Sequence, residues 1–196
     1  MMIKICGLRH AEGVEAAVAA GVDAVGFVFA PSVRRVDARH AAEIAGRVPR
    51  RVLRVAVMQH PTIGEWREVE AIFRPDVLQT DAADFDYLDV SPAITRWPVL
   101  REGAEARALP DTFVYEGAMS GHGRRVDWQA AAALAKQSRM VLAGGLDCEN
   151  VARAITEVAP WGVDVSSSVE SSPGVKNPTL IHAFVAAVRG RTSAKH

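Results

Sequence analysis

Short apolar runs alternate along this chain with longer stretches in which apolar residues recur every three or four positions. The apolar runs predict strands at Met2–Cys6, Ala24–Phe29, Val52–Met58, Asp76–Gln79, Ala93–Leu100, Thr112–Glu116, Met140–Ala143 and Gly162–Val165. Helical spacing predicts helices at Ala11–Ala20, Ala38–Arg47, Ile63–Phe73, Val126–Lys136, Cys148–Val158 and Thr179–Arg189, with shorter ones at Ala82–Leu88 and Gly103–Leu109. Strict alternation of strand and helix implies a parallel sheet with right-handed crossovers, and eight such units close into a barrel. The expected fold is therefore α/β, a single short-form (β/α)8 TIM barrel spanning residues 1–196. An open doubly wound sheet is the rival. It would carry a Gly-rich fingerprint after the first strand, and CGLRHAEG is not one.

In such a barrel, reactive groups belong at the C-terminal ends of strands, and phosphate favours the loops after strands seven and eight. The stretch LAGGLDCENV places Gly144 and Gly145 after strand seven, and GVDVSSSVESSPG places Ser166, Ser167 and Ser168 after strand eight. Glycines admit close backbone approach and a helix start presents free N–H groups, so the two loops together suit an anion. Taken singly, each also reads as a turn or a cap. Asp164, on strand eight, is either an acceptor for a substrate hydroxyl or a satisfied polar residue near the mouth. Strand one ends at Cys6, strand two leads to Arg34 and Arg35, strand four ends at Gln79 near Asp81, and strand six ends at Glu116. A free cysteine is usually a small buried hydrophobe, but one at a strand end facing a phosphate site and a carboxyl suits acid/base or nucleophilic work. Cys148, in the first turn of its predicted helix, reads as structural.

Charge and composition narrow the partners. Lys plus Arg equals Asp plus Glu at 23 each, so no basic field draws nucleic acid or a membrane surface. MMIKICGLRH is not a signal peptide, and no run of 18 apolar residues occurs, so a cytoplasmic protein is expected. Cys6 and Cys148 are then expected as free thiols. The sequence does not set the oligomeric state; a monomer is the favoured expectation.

The motifs KICGL, AGVDAVGFVF, VRRV, LAGGLDCENV and GVDVSSSVESSPGVKN, in this order and spacing from residue 3 to about residue 188, resemble those of the phosphoribosylanthranilate isomerase family of tryptophan biosynthesis. The resemblance implies a barrel enzyme catalysing an Amadori rearrangement of an aminoaldose phosphate to an aminoketose phosphate. It implies Cys6 as the catalytic cysteine, Arg34 as the arginine for the anthranilate carboxylate, and Gly144, Gly145 and Ser166–Ser168 as the phosphate cradle. Four positions depart from the family pattern. Glu116 stands where an aspartate usually acts as the acid, Thr80 and Asp81 replace the leucine and histidine of a QLHG motif, and Ser168 replaces a glycine.

Ring opening needs a general acid at the furanose oxygen, and the Schiff base then needs a base at C2′. Glu116, expected among apolar neighbours such as Val114 and Tyr115, suits the acid. Cys6 suits the base where Lys4, Arg9 or the substrate iminium favours its thiolate. Asp127 is expected to cap the helix that follows. Neither a cofactor nor a metal is required, and no metal-spaced His or Cys cluster is present in the sequence. A dual-substrate sugar-phosphate isomerase of the histidine and tryptophan pathways and a non-catalytic phosphate-binding barrel are the competing readings.

Overall fold

The computed structural model describes residues 1–103, 108–117 and 126–192. Eight parallel strands form one closed barrel in sequence order: β1 (Met2–Cys6), β2 (Ala24–Val28), β3 (Leu53–Val57), β4 (Val77–Asp81), β5 (Thr95–Arg101), β6 (Thr112–Glu116), β7 (Arg139–Leu142) and β8 (Gly162–Val165). β8 pairs back onto β1, with Lys4 opposite Asp164. The barrel expectation is met, and strand ends differ from the sequence reading by one or two residues because pairing, not apolarity, sets them. The clearest shift is β4, which runs on through Thr80 and Asp81 to pair with Pro98 and Val99.

The coat comprises α1 (Ala11–Ala20), α2 (Ala38–Ile44), α3 (Ile63–Phe73), α4 (Trp128–Ala135), α5 (Val151–Val158) and α6 (Pro178–Thr192). Local chemistry places their starts. Thr62 and Glu65 form a reciprocal capping box ahead of α3, and Asp127 accepts from the N–H of Gln129 and Ala130 ahead of α4, as expected. The predicted helix at Cys148–Val158 begins only at Val151, because Asp147 takes the N–H groups of Glu149 and Asn150 and holds Cys148 in an exposed turn. After β4 the expected helix is a 3-10 turn, Ala82–Asp86, and the predicted helix at Gly103–Leu109 falls largely outside the described residues. A further antiparallel pair, β9 (Glu170–Ser172) and β10 (Val175–Lys176), lies between β8 and α6.

Alternation along the strands separates two cores. Ile3, Ile5, Val25, Phe27, Phe113 and Leu142 face the helices, whereas Met2, Ala24, Val55, Trp97, Val114 and Val141 fill the barrel interior. The same period aims Cys6, Asp81, Arg101 and Glu116 inward at the C-terminal mouth, where a cavity of about 210 Å³ opens. It also sends Tyr115 to the helix side, so Tyr115 does not wall Glu116 as the sequence reading expected.

Candidate active site

Below the mouth lies a charge inside the barrel. Lys4 is fully buried, and its Nζ donates to Asp164 Oδ2 at 2.8 Å. Burial disfavours an ammonium, but Asp164 and Cys6 together outweigh it, and the Lys4 pKa is raised. Cys6 sits one inward step above Lys4. Burial pushes its thiol up, with Lys4 pulling the other way. A Cβ on Gly26 would lie 3.0 Å from both Cys6 Sγ and Lys4 Cε, so the bare glycine of β2 gives these two side chains their space. Asp164 Oδ1 and Gln79 Oε1 are buried without a hydrogen-bond partner among the described residues, and both residues line the cavity. Such acceptors are costly to leave unpaired, and a ligand hydroxyl would satisfy them.

The loops after β7 and β8 meet at one side of the mouth. Gly144 and Gly145 have φ of 89° and 65°, a left-handed pair that a side chain would strain, and no backbone acceptor takes either N–H among the described residues. Asn150 donates to Gly145 O at 2.8 Å and braces this turn from beneath. Ser166 and Ser167 line the cavity, and the Ser166 hydroxyl donates to Cys6 O at 3.0 Å. Ser168 is brought to the same loop, in a 3-10 turn over Ser167–Val169, but its hydroxyl donates to Leu146 O. Its φ is not in the positive range, so a serine costs no backbone strain there.

Arg34 lines the same cavity from the β2 side, and Arg35 is exposed. The Arg34 fork is engaged: Nε and Nη2 donate to the two carboxylate oxygens of Glu170 at 2.7 and 2.8 Å. Lys176 Nζ adds a bond of 2.7 Å to Glu170 and reaches Ser166 O at 2.9 Å. Burial alone would raise the Glu170 carboxyl, but bonds from Arg34 and Lys176 more than offset it and lower its pKa to about 2. Gly7, with φ of 76°, has to be bare because a Cβ would meet Arg34 Cδ at 2.5 Å. Glu170 and Lys176 have no role in the sequence reading; a Glu and a Lys flanking the SSPGV turn were the available signal.

Across the mouth, Arg101 lies between two carboxylates. Its Nε donates to Asp81 Oδ1 at 2.9 Å and its Nη1 to Glu116 Oε1 at 2.6 Å. Glu116 is thus ion-paired with Arg101 rather than lodged in an apolar wall. Behind this group, ligand atoms of His60, Asp81 and Asp84 come within 4.8 Å of one another. Asp84 is already satisfied by His60, Thr80 and Tyr87, and Asp81 by Arg101, so the cluster holds itself together without a metal.

Residues 3–187 match the model of the family described as PRAI, N-(5'phosphoribosyl)anthranilate (PRA) isomerase. The chain is 38% identical over 211 residues to the N-(5'-phosphoribosyl)anthranilate isomerase of Roseiflexus castenholzii, covering 96% of this chain and 98% of that one. Its fold is similar to that of phosphoribosyl anthranilate isomerase from Thermus thermophilus, with a TM-score of 0.84, 27% identity and coverage of 97% and 99%. It is also similar, with a TM-score of 0.80, 27% identity and coverage of 97% and 99%, to a phosphoribosyl anthranilate isomerase in complex with reduced 1-(o-carboxyphenylamino)-1-deoxyribulose 5-phosphate. With the family's model covering nearly its whole length, this chain belongs to the N-(5'-phosphoribosyl)anthranilate isomerase family.

Proposed function

We propose that this chain converts N-(5'-phosphoribosyl)anthranilate into 1-(o-carboxyphenylamino)-1-deoxyribulose 5-phosphate, with Glu116 as general acid and Cys6 as general base. The observation that carries this reading is one cavity lined at once by Cys6, Arg34, Glu116, Gly144, Gly145 and Ser166. The phosphate is read into the loops of Gly144, Gly145 and Ser166–Ser168, where free N–H groups offer donors. The anthranilate carboxylate is read onto Arg34. Glu170 occupies the Nε/Nη2 edge, which leaves the terminal Nη1/Nη2 edge to form a second fork. Asp164 Oδ1 and Gln79 Oε1 are read as acceptors for the sugar hydroxyls.

Glu116 gives a proton to the ring oxygen as the C1′–O bond breaks and the substrate nitrogen forms the iminium. The Cys6 thiolate then takes the C2′ proton, and the resulting enolamine tautomerises to the ketone. The two groups share one proton. In the empty site burial favours the thiol on Cys6, while Arg101 favours the carboxylate on Glu116. Moving that proton from sulfur to carboxylate readies the pair with no change in total charge, and the cationic iminium favours the thiolate. Every group named comes from one chain, so the proposed chemistry requires no residue of a second copy. Zero net charge fits a cytoplasmic enzyme with a small-molecule substrate; no helix among the described residues is long and apolar enough to cross a membrane.

The test is steady-state turnover by Glu116→Gln, which keeps the shape and removes the proton. The reading expects a loss of kcat of ~100-fold or more with KM little changed. Normal turnover, with activity abolished instead in Asp127→Asn or Asp81→Asn, would move the acid elsewhere.

A further inference from the structure

Strand alternation and register place three charged side chains in one row at the mouth. Arg101 is directly opposite Glu116 across β5 and β6, and Asp81 is opposite Val99, one inward position away from Arg101 across β4 and β5. The guanidinium spans the gap: Nε and Nη2 hold the Asp81 carboxylate at 2.9 and 3.1 Å, and Nη1 holds Glu116 Oε1 at 2.6 Å. All three side chains are mostly covered, with exposures of 21% for Arg101, 12% for Asp81 and 16% for Glu116, so solvent screens these pairs only in part.

We infer that Arg101, anchored by Asp81, is a positioning residue that sets where the Glu116 carboxyl stands during proton transfer. A glutamate has one more rotatable bond than an aspartate, and an unheld carboxyl at a barrel mouth would sample several rotamers. Arg101 removes that freedom. Its planar fork fixes direction as well as distance, and Asp81 in turn fixes Arg101 through two of its nitrogens. The pairing also offsets the repulsion between two carboxylates that would otherwise face the same cavity. The arrangement carries a division of labour. Arg101 lines the same cavity as Glu116 and is held by Asp81 from outside that lining; a positioning role falls on the catalytic step, whereas a direct substrate contact would fall on affinity. This inference rests on Glu116 being the acid.

The test compares Arg101→Gln, Glu116→Gln and the double variant in steady-state turnover of N-(5'-phosphoribosyl)anthranilate. Arg101→Gln is expected to lower kcat by about 10-fold or more while KM moves by less than about threefold. In the Glu116→Gln background the same change should lower kcat by no more than about twofold, because there is no acid left to position. A rise in KM without loss of kcat, or an equal loss of kcat in both backgrounds, overturns the inference. Asp81→Asn keeps the Arg101 contact to Glu116 but loosens its anchor, and covers the case in which Arg101→Gln does not fold. Its kcat should fall about three- to tenfold, with wild-type turnover overturning the brace. Normal turnover by Glu116→Gln itself would instead defeat the acid assignment, a separate failure.

Discussion

Arg34 and Glu170, separated by 136 residues, face each other fork to fork at 2.7 and 2.8 Å across the rim of the barrel mouth. The pair fixes the direction of Arg34 and leaves one guanidinium edge for a ligand carboxylate. Arg34→Ala is expected to raise KM by about 10- to 100-fold, the scale of a charge-assisted bidentate contact, and Arg35→Ala to leave it near wild type. Glu170→Gln should raise KM by a smaller factor, about fivefold, since Arg34 remains but is no longer aimed. Equal effects of Arg34→Ala and Arg35→Ala would show that the wrong arginine has been assigned.

Glu170 also links this rim to acid stability. Its pKa falls from an ordinary 4.5 to about 2 in the folded chain, so its contribution is fully present above 4.5 and is lost as pH drops toward about 2. Chemical denaturation of wild type and Glu170→Gln at a series of pH values should therefore show a stability difference at pH 6 that shrinks between about pH 5 and pH 2. A difference that stays constant over that window would contradict the ion-pair account.

In the proposed scheme, one proton shared by Cys6 and Glu116 sets a pH profile. Activity falls at high pH when the pair loses its proton from sulfur, and burial places that loss above the ordinary thiol value of 9.0. Lys4 and Lys176 pull the value down and Asp164 pushes it up, which leaves the net direction upward. The alkaline limb of kcat/KM is expected above pH 9, and a limb well below it would refute this protonation scheme. Cys6→Ser should lower kcat by ~100-fold or more, and exposed Cys148→Ser should be neutral.

Lys4 and Asp164 form the buried pair under the thiol. Lys4→Met leaves a carboxylate uncompensated in the barrel and is expected to cost about 3–5 kcal/mol by urea denaturation, whereas Lys4→Met with Asp164→Leu should recover most of that loss. Equal destabilisation by the single and double variants would show that the pair is not the source of the cost.

Ser168 ties the loop after β8 to the loop after β7 through its bond to Leu146 O, and these are the loops proposed to hold phosphate. Removing the hydroxyl in Ser168→Ala should weaken inhibition by inorganic phosphate by about two- to fivefold, the scale of one neutral hydrogen bond. No change in phosphate inhibition would leave that bond without a role in the cradle.

The barrel was legible because each strand and helix writes its own period into a short window, and the places of Cys6, Gly144 and Gly145 at the mouth were legible because strand ends and glycine pairs are local signals. The partners of the site residues were not. Glu170 meets Arg34 across 136 positions and Lys4 meets Asp164 across 160, distances over which no periodicity runs. Arg101 has no role in the sequence reading, although register alone puts it opposite Glu116. The β9–β10 pair was missed because strands of three and two residues are too short to show alternation. The late start of α5 follows from an Asp147–Asn150 turn that looks, in sequence, like the helix it precedes.

The most direct measurement is the steady-state conversion of N-(5'-phosphoribosyl)anthranilate by the wild-type chain, with product identified as 1-(o-carboxyphenylamino)-1-deoxyribulose 5-phosphate. The account predicts turnover in the ordinary enzyme range of roughly 1–10³ s⁻¹ without any added metal or cofactor. Saturable binding of the substrate with no product formed would contradict it and leave a phosphate-ligand-binding barrel in its place.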